Sequence, residues 1–193
     1  RLDIAERILK PHLKEDPFDV FAIRMLAELA ARIGRLKDSE TLLRRALEID
    51  PNFTAARANL AIVLGRLGRP AEALELLDVV FEQDPDRLGN LNLKAATLGR
   101  LGDFEQALEL YKRVLEHAPG QPRVLLTYGH ILNSVGRLQE SVDAYRQAID
   151  LNPRLGEAWW SLANLKTFRF SDNDIATMER TLRRKDLKDN DRF

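Results

Sequence analysis

The 193-residue chain is 45% hydrophobic and 31% charged, a balance that excludes a disordered polymer and permits a buried core. Lys and Arg together number 30, as do Asp and Glu, so no global field draws the chain to nucleic acid or to an anionic membrane. With no cysteine there is no disulfide, thiol nucleophile or cysteine metal site, and no apolar run approaches the roughly 18–20 residues of a spanning helix.

The first stretch, 1–17, reads as a helix, with Pro11 expected to kink it or fray it early because proline removes an amide donor and crowds the preceding turn. It opens Arg1-Leu2-Asp3-Ile4-Ala5-Glu6, which lacks a signal peptide's apolar stretch and leads to an expected cytoplasmic location. Arg1-Leu2 matches Arg35-Leu36 and Arg137-Leu138, each just after a turn glycine. Residues 1–19 therefore read as the second helix of a truncated repeat, in a parent protein that extends upstream.

From residue 20 the chain is periodic. Pro17, Pro51, Pro85, Pro119 and Pro153 recur every 34 residues, as do Gly34, Gly68, Gly102 and Gly136. Residues 20–155 divide into four complete units, 20–53, 54–87, 88–121 and 122–155, each a helix, a glycine turn, a second helix and a proline-containing link. The turn is clearest between Leu98 and Leu108: Gly102 suits the left-handed residue that ends a helix, Asp103 can cap the next one, and Gln106 stands where a capping box closes. Pro70 and Pro122 fit first helical turns, where a missing donor costs nothing.

Within each unit the eighth position is small (Ala27, Ala61, Ala95, Gly129), a series that Ala163 continues. The twentieth is small as well (Ser39, Ala73, Ala107, Ser141), and the twenty-fourth is large (Leu43, Leu77, Tyr111, Tyr145). Small residues let neighbouring helices approach, and the large ones fill the space between them. This pattern resembles the tetratricopeptide repeat, which combines that period with a small residue in the first helix, an alanine and an aromatic in the second, and a closing proline. The family's tryptophan stands only at Trp159; Ile23, Arg57, Leu91 and Leu125 replace it elsewhere, Arg57 being the weakest match. The resemblance implies an all-α fold, a right-handed superhelical solenoid of antiparallel helix pairs that bury their apolar faces against each other.

Residues 156–193 depart from the pattern as a divergent terminal repeat. Gly156 to Phe168 reads as a first helix, but Phe170 replaces the turn glycine. Ser171 and Asp174 have capping-box spacing ahead of a stripe formed by Ile175, Met178 and Leu182, and Asp189 stands where a further helix would be capped. Residues 156–172, with Trp159-Trp160 and Phe168-Arg169-Phe170-Ser171-Asp172, also resemble the junction of bacterial proteins that join such repeats to a C-terminal sulfotransferase domain. By that resemblance a domain using 3′-phosphoadenosine-5′-phosphosulfate would follow Phe193, and none of its catalytic or cofactor residues falls on this chain.

No catalytic constellation is expected. Gly65-Arg66-Leu67-Gly68 and Gly99-Arg100-Leu101-Gly102 have no preceding strand and read as turns rather than phosphate loops. His12, His117 and His130 have no carboxylate at a helical ligand spacing that repeats, and no strand-to-helix elbow presents a serine. The expectation is no metal and no cofactor.

The candidate site is the face lined by first helices, which in the tetratricopeptide family is the concave groove. Positions two, five, nine, twelve and thirteen, with Asn59 on their border, supply Arg24, Arg32, Asn59, Arg66, Asn92, Arg100, His130, Asn133, Trp160 and Asn164. Ala55, Ala58, Gly65, Gly89, Ala96 and Gly99 make its floor shallow. Amides can bond a peptide backbone and arginine forks can hold carboxylates, so the expected partner is a protein or peptide, not nucleic acid or membrane. The column Arg32, Arg66, Arg100 admits a second explanation, because each lies near the C-terminus of its helix, where the macrodipole favours a cation. The chaperone-carboxylate clamp of some family members is not matched: Glu28, Gly89 and Leu93 stand where it needs amide or basic side chains. Trp160, Phe168 and Phe170 are candidates for self-association through the solenoid's end.

Overall fold

The computed structural model describes residues 2–166, 168–184, 186–187 and 191. Among them every regular element is a helix: α1 (Leu2–Glu15), α2 (Val20–Arg32), α3 (Leu36–Ile49), α4 (Thr54–Arg66), α5 (Pro70–Gln83), α6 (Leu88–Leu101), α7 (Phe104–His117), α8 (Pro122–Ser134), α9 (Leu138–Leu151), α10 (Gly156–Asn164) and α11 (Asp172–Leu182). The chain divides into two compact units, residues 1–103 and 104–193.

The turns follow from backbone chemistry. Gly34, Gly68, Gly102 and Gly136 have φ between 78° and 85°, the left-handed conformation that a Cβ disfavours. At Gly102 the amide bonds back to Gly99 and the following amide, on Asp103, reaches Leu98 O at 3.0 Å, which closes the helix end. Three of the second helices are not entered through a side-chain cap. Arg35, Arg69 and Arg137 precede them, and each reaches the acid three residues on, Asp38, Glu72 and Glu140. That pairing puts a carboxylate in the first turn, where the helix dipole favours it. Pro70 and Pro122 sit at helix starts. Pro11 does not end α1, which continues to Glu15 and stops short of Pro17.

In the first unit Ile23, Ala27, Leu43, Ala46, Leu60, Ala61, Val63, Leu64, Ala73 and Leu77 form a continuous core drawn from α2 to α5. Ser39 is fully buried like its counterpart Ala73, yet its hydroxyl finds no partner, so the position demands small size rather than a hydrogen bond. Arg57, the weakest family match, sits on α4 and donates to the carbonyl of Pro51.

In the second unit Leu125 and Leu126 of α8, Tyr145, Ala148 and Ile149 of α9, and Ala158, Trp159 and Leu162 of α10 form the core. Gly129 lies under the Tyr145 ring, and an added Cβ would meet Cε1 at 2.6 Å. Trp159 donates from Nε1 to Pro153 O at 3.0 Å, the same six-residue reach that Arg57 makes.

The end of this unit differs from the sequence expectation. Helix α10 stops at Asn164, and the chain is non-helical at 168–170. Helix α11 begins at Asp172, 34 residues after the start of α9 and so in the repeat register, but Ala163 is exposed instead of filling an interhelical contact. Phe168 and Phe170 fold back onto the core, their rings 5.2 Å apart, with Phe170 6.1 Å from Trp159. They are not an exposed pair. Ser171 and Asp174 do make the expected capping box, and Asp174 additionally takes a bidentate ion pair from Arg146 of α9. Met178 packs on the core while Ile175 and Leu182 stay exposed. The expected cap at Asp189 lies outside the described residues.

Candidate functional site

The first-helix face of the first unit is carried by α2, α4 and α6. On α2, Glu28 gathers two of the expected ligand-binding cations: Arg32 at 2.7 Å and Arg24 at 3.6 Å. These arginines are partly neutralised before any ligand arrives. Arg66, in the last turn of α4, reaches back to α2 and donates from Nη1 to Ala31 O at 2.8 Å. Arg100 of α6 lies over Gly65, where a Cβ would stand 2.9 Å from its Nη1. Arg66 thus caps the C-terminal turn of the preceding first helix, a location the macrodipole favours by about 0.3–1 kcal/mol at an exposed surface. The sequence had located that benefit in each arginine's own helix.

Between these arginines, Asn59 of α4 and Asn92 of α6 are half-buried, and neither amide makes a hydrogen bond to the described residues. Ala55 and Gly89 are exposed, and Ala58 and Ala96 half-exposed. The result is a shallow floor bearing free amides and exposed cations.

In the second unit the same face is built differently. His130 of α8 is bonded from Nε2 to Ser161 Oγ of α10 at 2.9 Å, with its ring 5.5 Å from that of Tyr145. Ser161 Oγ donates its own proton to Glu157 O at 2.7 Å, so His130 is the donor to serine and carries its proton on Nε2. Burial pushes the imidazole below its ordinary value, with Glu157 a smaller opposing influence, and keeps it neutral. The pair has the separation of a nucleophile and base but the wrong proton flow: the serine is buried, its hydrogen is engaged, and no carboxylate orients the ring. Asn133, Asn164 and Trp160 are exposed, the indole at 58%. Among the described residues no group of three or more His, Asp or Glu could hold a metal ion, and no helix is long and apolar enough to cross a membrane.

Sequence reasoning missed the intramolecular partners of the arginines and two cavities of the second unit that lie away from this face. The family model for the tetratricopeptide repeat matches residues 4–154. The chain belongs to the tetratricopeptide repeat family. That model ends before the stretch resembling a sulfotransferase junction and lends it nothing. A search of curated protein sequences finds no significant match. Among solved structures, this tetratricopeptide chain is similar to MamA 41-end from Desulfovibrio magneticus RS-1, at 16% identity over 79% of this chain and 86% of that one, with a TM-score of 0.71. It is also similar to a MamA AMB-1 crystal form (23% identity, 79% and 90% covered, TM-score 0.70). A third similar structure is YrrB, described as a TPR protein with an unusual peptide-binding site (20% identity, 82% and 84% covered, TM-score 0.70). At these identities the likeness establishes the fold.

Proposed function

We propose that the chain is a non-catalytic scaffold whose first-helix face binds an extended peptide or a partner protein. The observation that carries this reading is the pair of half-buried amides without intramolecular hydrogen bonds, Asn59 and Asn92, over a floor of small residues and beside the cations Arg66 and Arg100. A half-buried amide leaves hydrogen-bonding capacity unused, and a peptide backbone supplies both the donor and the acceptor it lacks. The described peptide-binding site of YrrB on a similar fold supports the same reading. Asn133, Trp160 and Asn164 offer the second unit a more neutral, aromatic stretch of the same type of face. Trp160 is also the remaining candidate for end-to-end self-association.

The test is a fluorescent peptide library followed by variants. Asn92→Ala, Arg66→Glu and Arg100→Glu are each expected to weaken a selected peptide by about tenfold, the worth of a charge-assisted or buried hydrogen bond. Unchanged affinity in all of them sinks the reading.

In the alternative, the same face recruits an acceptor for a sulfotransferase domain linked beyond Phe193, raising the acceptor's effective concentration at that domain. This rests only on the resemblance of residues 156–172. Deleting the repeats from such a parent without changing acceptor turnover would remove it. A cytoplasmic location goes with either reading, and fractionation of cells producing the parent protein tests it.

A further inference from the structure

Two cavities of the second unit lie between its second helices, away from the first-helix face. One, of about 320 Å³, has Leu115, Leu125 and Ala144 on its floor, Tyr128 as a wall and Glu140 and Asp143 at its rim. The other, of about 400 Å³, shares Tyr128 and Glu140 and adds Glu105, Glu109 and Lys112.

The equivalent place in the first unit shows why this cleft is open. Two repeats earlier, Leu60 stands at the position of Tyr128 and is only 1% exposed. The same unit carries a network that ties α3 to α5: Arg69 donates to Glu40 at 2.8 Å and pairs with Glu72, while Arg44 holds Glu40 at 2.8 Å and lies 3.7 Å from Glu72. In the second unit Arg69, Glu72 and Arg44 have counterparts in Arg137, Glu140 and Lys112. Glu40 has none, because its place is taken by Leu108. Arg137 consequently closes only on Glu140, three residues along its own chain segment, and the bridge from α7 to α9 is missing. The lining carboxylates Glu105, Glu109, Glu140 and Asp143 outnumber the cations Lys112 and Arg137.

We propose that this cleft binds an arginine side chain of a partner polypeptide, its aliphatic stem against Leu115, Leu125 and Tyr128 and its guanidinium at Glu140 and Asp143. The chemistry selects that occupant. An apolar stem fits the floor, an aromatic wall favours a cation at its face, and a planar fork bonds two carboxylates better than an ammonium does. The incoming side chain spans the cleft, its stem on Leu115 of α7 and its guanidinium on the carboxylates of α9. The site is separate from the first-helix face, so peptide binding there and arginine binding here are independent properties.

The test is an NMR titration of the ¹⁵N-labelled chain with acetyl-Leu-Arg-Leu-amide and with its citrulline analogue, which keeps the shape and removes the charge. The arginine peptide is expected to shift the amides of Tyr128, Glu140 and Asp143 saturably, and the citrulline peptide to bind about fivefold more weakly or worse. Leu108→Glu, which restores the first unit's acid and lets Arg137 close the cleft, is expected to reduce arginine binding by a similar factor. Glu140→Gln/Asp143→Asn, on exposed positions, should do the same without loss of helicity. Arg66→Glu should leave this binding unchanged. Equal binding of the citrulline peptide, shifts confined to other faces, or full binding by the Glu140→Gln/Asp143→Asn variant would overturn the proposal.

Discussion

Leu60 and Tyr128 hold the same place in repeats two apart, yet one lies buried in the core and the other borders open cavities. The backbone template is the same, but Leu108 stands where the first unit has Glu40, the acid through which its adjacent second helices are bridged. The units also place their ion pairs differently. The first unit keeps its network in partly exposed positions, with Arg44 and Glu72 each 47% exposed. The second concentrates charge at Asp174, whose side chain is 6% exposed and held by Arg146, which also lies over the Phe168 ring at 4.9 Å. Repetition fixes where helices lie, and the pairs laid over them decide which surfaces stay open and which segments are latched.

That contrast is most sharply broken at Arg146. Arg146→Ala leaves the Asp174 carboxylate nearly buried without its cation and is expected to cost about 2–4 kcal/mol in urea unfolding, reduced from the fully buried case because Arg146 is partly exposed. Glu40→Gln, within the exposed network, should cost under about 1 kcal/mol. Equal costs would show that the two arrangements are energetically alike. The Arg146 guanidinium holds the Asp174 carboxyl far below its ordinary value of 3.8. The folded form therefore prefers the charged carboxylate. Its stabilisation is complete above pH 3.8 and is lost only as the pH falls toward the depressed value.

A smaller effect is expected from the helix contact beneath Tyr145. Gly129→Ala places a Cβ within 2.6 Å of the Tyr145 ring and should destabilise the second unit by about 1–3 kcal/mol through overpacking. At the equivalent Ala61, which faces no tyrosine in its own repeat, Ala61→Gly should cost about 1 kcal/mol from helix propensity alone. Thermal melts of both variants decide whether ring size dictates the residue at position eight.

Next come the unlike side chains Arg57 and Trp159, which reach the carbonyl of the proline six residues back. Arg57→Leu should lose that bond at about 0.5–1.5 kcal/mol, and Arg57→Trp should recover it. Failure of tryptophan to recover stability would show that the arginine acts through other contacts.

The gentlest probe is a pair of histidines with opposite behaviour. Asp19, bonded to His12 at 2.7 Å, raises His12 above its ordinary 6.5, whereas burial lowers His130 below it. His12 stabilises the fold fully below pH 6.5 and loses that contribution as the pH rises through its raised value. His130 does the reverse, contributing fully above pH 6.5 and losing it as the pH falls through its lowered value. NMR titration of the two imidazole Cε1 protons should place their midpoints on either side of 6.5; His130 at or above it would rule out the buried bond to Ser161.

The sequence by itself determined the helix pairs, their turns and the small and large residues at each interface. These depend on local chemistry, a left-handed glycine or a proline that cannot donate, repeated at one period until chance is excluded. The face bearing Asn59, Arg66, Asn92 and Arg100 was legible for the same reason, since a helix's periodicity tells which residues share a side. Only the tertiary structure decided what those residues are free to do. That Arg66 caps Ala31 and that His130 is tied to Ser161 depend on residues of neighbouring helices. Likewise α10 stops early because Phe168 and Phe170 find an apolar core to cover. Such pairings depend on distances between elements, and a one-dimensional period carries no information about a contact that departs from it.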